Sequence, residues 1–195
     1  MGSTPNYSWQ YPALTDPPNV PQHLQTLADA IDTTVKGIDT RIDELITPPY
    51  ASLSNNGGAT VENNTSTLIY WDREYADSAN GHSDTVNNTR YTAQRTGRYL
   101  ANATLAGTLL APGPVQFFFR ITSGSGTTSP IDLWGAALNA NAGAFAVNIT
   151  RMPWLQVGDY LQIYALQTTG QPMYLSSTTG LNGGCMWEVT WLGNT

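Results

Sequence analysis

Between Pro21 and Ile46, Leu24, Leu27, Ile31, Val35, Ile38, Ile42 and Leu45 recur at steps of three and four, and prolines stand on both sides of the run. That spacing puts every one of them on one side of a helix. Asp29, Asp32, Lys36, Asp39, Arg41, Asp43 and Glu44 take the other faces, so the stripe is a narrow seam rather than the broad face that packs on a globular core. A seam of this width meets copies of itself. The alternative is a single helix lying on its own domain, but the sequence has no second helical pattern to receive it. The steps run 3-4-4-3-4-3, and the extra four-step between Ile31 and Val35 acts as a stutter that relaxes a left-handed supercoil. Pro21 suits a first helical turn and Pro48-Pro49 cannot continue one, which predicts a coiled-coil helix over 21–47, about 39 Å long. Gly37 is its weakest interior position.

Residues 1–20 have a different character. Tyr7, Trp9, Tyr11, Pro12, Asp16, Pro17 and Pro18 fall among small polar residues, a composition that favours an extended arm over helix or strand. Three aromatics on so short a segment need cover from another protein, which makes the arm a candidate docking peptide; the alternative is a disordered tail.

After Pro49 the apolar period changes from 3.6 to 2. Strands are predicted at 66–72, 90–93, 98–108, 115–123, 131–139, 144–152, 159–168, 173–176 and 184–192, separated by Gly- and Pro-bearing turns with no helix between. Many short strands in one stretch of this size predict an antiparallel sandwich or jelly roll over 50–195. Alternation then sorts the residues. Val115, Phe117, Phe119 and Ile121, with Leu161, Ile163, Ala165, Cys185, Trp187, Val189 and Trp191, face the core. Phe118, Tyr160, Tyr164 and Leu166 fall on opposite faces, where a lone domain prefers polar groups, and a subunit interface is the expected reason.

The charge balance narrows the partners. The 195 residues carry a net charge of −6, and Lys36 is the only lysine, so an electrostatic grip on nucleic acid is not expected. From Tyr50 onward there are six arginines and eight acids, few for a domain of that length, and the polar surface is built from Asn, Thr, Ser and Gln. Such a surface suits a particle exposed to the outside world or one with extensive subunit contacts. No segment has the basic and apolar regions of a secretory signal or the length of a membrane span, so neither export by its own signal nor membrane insertion is expected. Asn-X-Ser/Thr sequons at Asn6, Asn63, Asn64, Asn87, Asn102 and Asn148 reflect an Asn- and Thr-rich composition rather than glycans. Cys185 has no partner for an intrachain disulfide and reads as a small core residue.

Catalytic chemistry is thinly supplied. His23 lies in the first helical turn and His82 in the turn-like Asn80-Gly81-His82-Ser83-Asp84, without a Gly-x-Ser-x-Gly elbow. Asp72, Glu74 and Asp77 have the oxygen chemistry for Ca²⁺, the alternative being a solvated loop. No His/Cys set has zinc spacing, and Gly124-Ser125-Gly126 lacks the lysine and helix of a phosphate loop. No catalytic residue, metal or cofactor is assigned.

Three segments add a family resemblance. Thr92-Ala93-Gln94-Arg95-Thr96-Gly97-Arg98-Tyr99-Leu100 resembles the turn, Gly, aromatic, strand entry of the jelly roll shared by tumour necrosis factor and the globular head of complement component one-q. Trp154-Leu155-Gln156-Val157-Gly158-Asp159-Tyr160-Leu161-Gln162-Ile163 resembles that family's L-x-x-G-D-x-L-x-I strand, and Gly184-Cys185-Met186-Trp187-Glu188-Val189 its closing strand. The resemblance runs in order through 50–195. It implies a homotrimer with aromatics along the threefold axis, and so a place for Phe118, Tyr160 and Tyr164. The run from Tyr11 to Pro21, followed by Leu27-Ala28-Asp29-Ala30-Ile31-Asp32, is similar to the start of small virion proteins of phages infecting actinobacteria, commonly called minor tail proteins. That similarity covers about 40 residues. It implies an N-terminal virion anchor, a trimeric stalk and a distal β head.

The expectation is therefore a mainly β chain of three parts. An extended arm (1–20) docks to other virion proteins, a helix (21–47) trimerises, and an antiparallel jelly-roll head (50–195) meets the host surface. A host glycan is the candidate ligand, with Tyr75 or Trp134 as candidate platforms. A capsid decoration or head fibre is the alternative, and a tail-associated carbohydrate-processing enzyme the second; the latter lacks spaced acid pairs and a long repetitive β-helix.

Overall fold

The computed structural model describes residues 2–3, 10–11, 20–126, 128–177 and 184–194. The chain divides into two units, Met1–Thr47 and Pro48–Thr195. In the first, β1 (Gly2–Ser3) and β2 (Gln10–Tyr11) pair antiparallel, with Gly2 opposite Tyr11 and Ser3 opposite Gln10. The arm was expected without strands. An extended backbone leaves its N–H and C=O groups unpaired, and two such stretches satisfy each other locally. The helix α1 spans Val20–Ile46, one residue longer at its start than the sequence predicts. The hydroxyls of Thr26, Thr33, Thr34 and Thr40 each donate to the carbonyl four residues back, and Gln25 Nε2 donates to Asp29 Oδ1 at 2.7 Å, so these polar residues are absorbed into the helix.

The second unit is a sandwich of two antiparallel sheets. One contains β5 (Thr67–Leu68), β7 (Arg90–Thr92), β9 (Gly113–Thr122), β10 (Ile131–Ala140) and β13 (Tyr160–Gln167), ordered β10-β9-β13 with β5 and β7 on the far edge of β13. The other contains β3 (Tyr50–Ser54), β4 (Ala59–Val61), β6 (Arg73–Asp77), β8 (Gly97–Leu109), β11 (Gly143–Arg151), β12 (Trp154–Leu155), β14 (Met173–Leu175) and β15 (Met186–Gly193). Its spine is β8: β11 and β12 line one edge, β15 and then β14 the other, and β3 and β6 extend the sheet beyond β15.

Between the sheets, alternate residues of each strand meet. Phe117, Phe119, Leu161, Ile163, Ala165, Trp187 and Val189 are fully buried, as their parity predicts. The indoles of Trp71 and Trp187 lie 5.4 Å apart and Phe119 packs on Trp187 at 6.3 Å. Cys185 is buried, its thiol donating to Ala106 O at 3.4 Å, and burial pushes the thiol above its ordinary value.

Three strands depart from the periodicity. In β3, Ala51, Ser52, Leu53 and Ser54 are all buried because β15 and β6 flank the strand, so small residues serve where an alternating pattern was sought. Residues 66–72 form a strand only over Thr67–Leu68, beyond which Ile69 N donates to Ile163 O and Trp71 N to Asn88 O, and both side chains are fully buried. The charged Arg73–Asp77, which carries no apolar alternation, forms the edge strand β6.

Candidate functional site

The helix presents the clearest unfinished surface. No described side chain of α1 is buried. Leu24 is 61% exposed, Val35 49%, Ile38 48%, Ile42 45% and Ile31 38%, while Leu27 is half-buried. A solitary helix in water does not retain a line of aliphatic residues at such exposure; most helical stability comes from packing that face. The side chain of Leu45 lies outside the described residues, as do the docking candidates Tyr7, Trp9, Pro12, Asp16, Pro17 and Pro18. Tyr11 is placed by its backbone in β2.

The head presents two contrasting outer faces. On the five-stranded sheet, Trp134, Phe118, Tyr164 and Leu68 stand side by side on β10, β9, β13 and β5. Phe118 stacks on Tyr164 at 5.4 Å, within 8° of parallel, and packs against Trp134 at 4.8 Å. Phe118 lies on the outer face as its parity predicts, yet it is only 3% exposed in the single chain because it packs under Trp134, which is 53% exposed. Tyr160, Tyr164 and Leu166 share this face and are half-buried. Two residues further along the strands, Asp132 and Arg120 lie opposite each other, and the Arg120 guanidinium makes a bidentate pair with the carboxylate at 2.6 and 2.9 Å. The same guanidinium lies over the Tyr164 ring at 4.4 Å, and Asp132 holds it above its ordinary pKa. Arg90 lies over Tyr160 at 4.7 Å.

The eight-stranded sheet turns a different face outward. Asn102, Thr104, Asn148 and Thr150 form its centre, tied across strands by Thr104 Oγ1 to Asn148 Oδ1 at 2.7 Å and Thr150 Oγ1 to Asn102 Oδ1 at 2.9 Å. Ala146, Thr190, Met186 and Tyr174 surround them. Among the described residues of β8, β11, β14 and β15, Glu188 and Arg98 are the charges this face carries.

At one end of the sandwich two of the family-like sequence motifs meet. Tyr99 Oη donates to Arg95 O at 2.7 Å and accepts from Arg95 N at 3.1 Å, closing the turn before β8. Gly97 has φ +147°, and a Cβ there would stand 2.2 Å from Gly193 O, so no other residue fits. Asp159 accepts Gln156 N at 2.9 Å and Gly124 N at 3.1 Å, tying two loops together. Ala93 and Gly158 exchange further backbone bonds with this turn.

The remaining candidates are occupied locally. Asp72 accepts Asn56 N and Gly57 N, Asp77 accepts Ala79 N and His82 N, and Glu74 faces His82 Nδ1 at 3.3 Å. Each carboxylate thus serves a different backbone turn or side chain, and among the described residues no three His, Cys, Asp or Glu gather as metal ligands do. The His82 side chain has no solvent exposure, and Ser83 Oγ bonds Thr85 and Val86 within its own turn. His23 is half-buried on the helix. Tyr75 is 50% exposed under the Arg73 guanidinium at 4.7 Å, and both platform candidates, expected on loops, sit on strands, Tyr75 on β6 and Trp134 on β10. The Arg120–Asp132 pair escaped sequence reasoning because twelve residues and an unknown register separate its members.

No protein-family model and no curated protein matches the sequence. Solved structures do. The globular domain of zebrafish complement 1qA superposes with a TM-score of 0.54 at 13% identity, covering 75% of this chain and 99% of that one. The fold is a TNF/C1q-like jelly roll. Murine APRIL matches with a TM-score of 0.56 at 12% identity, covering 74% of this chain and 99% of its own. Eiger TNF from S. frugiperda matches at 0.56 and 12% identity, over 76% of this chain and 95% of its own. At these identities the likeness is one of fold, and it agrees with the sequence resemblance over residues 50–195.

Proposed function

We propose that this chain is a homotrimeric structural and adhesive component of a bacteriophage particle, a minor tail or tail-tip fibre protein. Residues 1–20 dock to the virion, α1 trimerises, and the jelly-roll head meets the host envelope. The observation that carries the reading is the exposed aliphatic line of α1, which calls for copies of itself. No helix among the described residues is long and apolar enough to cross a membrane. The work assigned to the head is binding, not catalysis. Its mechanism is avidity: three weak sites on one stalk, repeated over a particle, exceed a single affinity by a factor on the order of 10²–10⁴.

The contact between heads is assigned to the eight-stranded face. Its centre of Asn102, Thr104, Asn148 and Thr150 carries no charge and is hydrogen-bonded within itself, with Glu188 and Arg98 beside it, whereas the aromatic face of Tyr160, Tyr164 and Leu166 carries a partly buried ion pair and has its central ring, Phe118, already covered. Light scattering tests the assembly: the intact protein is expected at about three times the 21.1 kDa chain, and Ile31→Asp should lower that mass. Deleting residues 1–20 should leave a particle of three times the shortened chain's mass and abolish incorporation into virions. A 21.1 kDa species for the folded wild type would sink the proposal.

A further inference from the structure

We infer that the aromatic shelf of the five-stranded sheet is a binding site for a neutral pyranose, with Trp134 as the stacking platform. The inference deepens the adhesive reading above and rests on it.

The shelf is built rather than incidental. The pairing of β10 with β9 slips between Trp134 and Ala136, a bulge at Gly135 that re-aims the indole. Gly135 is required there: an added Cβ would stand 2.7 Å from Ile149 Cγ2 and 2.9 Å from Phe117 O. The small Gly135-Ala136-Ala137 run leaves the Trp134 ring uncovered on one side. Together with Gln116 these residues line a depression of about 240 Å³. That falls below the roughly 300–1,000 Å³ of sites for drug-sized ligands and suits one sugar ring.

Register places polar groups where the ring's hydroxyls end. Along each strand, two residues advance about 7 Å on the same face. The row of Asp132 and Arg120 therefore stands about one pyranose width to one side of the Trp134–Phe118 row, with Gln116 about the same distance to the other. The apolar face of a pyranose stacks on the indole with the Gln116 amide lining the depression at one edge, and the Arg120–Asp132 pair one row away bounds the other edge of the shelf. Arg120 is held by Asp132 and by the Tyr164 ring, so little side-chain freedom is lost on binding. The ion pair supplies donors and acceptors with no net charge, which favours a neutral sugar over an acidic one.

Saturation-transfer NMR on the full-length protein tests this with methyl glucoside, galactoside, mannoside and N-acetylglucosamine as probes, and glucuronate as the acidic comparison. At least one neutral probe is expected to bind more tightly than glucuronate. Trp134→Ala should weaken it about tenfold, whereas Trp154→Ala, at a half-exposed tryptophan elsewhere, should not. Asp132→Asn should weaken it with the trimer mass unchanged. The inference fails if no neutral probe receives transfer, if the two tryptophan variants lose binding equally, or if Trp134→Ala dissociates the trimer, which would make the shelf a self-contact. Adsorption of labelled wild type to actinobacterial cells separates the two readings: adsorption without pyranose binding sinks the shelf alone, and no adsorption sinks the adhesive role.

Discussion

Tyr91 illustrates how a single buried atom controls stability. Its ring packs on Tyr99 at 6.0 Å in the core, but its hydroxyl is buried and has no hydrogen-bond partner among the described residues. Burial pushes the phenol well above its ordinary value of 10.0, with the neighbouring Tyr99 and Asp77 acting in the same sense. Above about pH 10 the unfolded chain releases a proton that the folded chain retains, so stability falls as pH rises from there towards the folded value. Tyr91→Phe is expected to gain roughly 1 kcal/mol at neutral pH, by deleting an unsatisfied hydroxyl, and to shrink the alkaline loss. Urea midpoints at about pH 8 and pH 11 measure both; an unchanged slope contradicts the assignment. At this scale parity identified the core side chains, because buried and part-exposed residues alternate along β13, and along the middle of β9 except at Phe118. It put Phe118 on the outer face but could not show that Trp134 lies over it, since what covers a residue comes from the neighbouring strand.

The elements divide by what stabilises them. The helix was legible because its period and its flanking prolines are local properties, and residue 37 offers a test within it. A Cβ on Gly37 meets nothing within 4 Å, so Gly37→Ala is expected to stabilise α1 by about 1 kcal/mol, seen as a higher far-UV circular dichroism midpoint. A lower midpoint would mean that a second copy packs against that position. The long strands β8, β9, β10, β11, β13 and β15 were legible for the same reason. The short β4 and β12 were not: two or three residues carry no period, and they are strands only because β14 and β8 offer an edge to pair with. The glycine-rich turns were recognised by residue type, while Asp159's bridge between two of them depends on loops that meet only in space.

The whole molecule is a question of which surface meets which. If the eight-stranded face is the contact between heads, Ala146→Arg should lower the thermal midpoint of the head by about 2–4 °C, since Ala146 is exposed in the single chain and its loss harms no internal packing. Leu166→Arg, on the aromatic face, should leave it unchanged. Calorimetry on the intact protein distinguishes the two, and the reverse order would return the contact to Tyr160, Tyr164 and Leu166. The sequence by itself determined the class of the chain: a helix with a narrow aliphatic seam, an all-β head, scarce charge, and the turn motifs that resemble the TNF/C1q jelly roll. Each of these rests on period or on residues adjacent in the chain. Only the tertiary structure decided that Trp134 shields Phe118, that Arg120 and Asp132 lock beside it, and that the Asn- and Thr-centred face lies on the other sheet. Those relations join strands whose pairing and register are set by cooperative burial, which no local stretch of residues encodes.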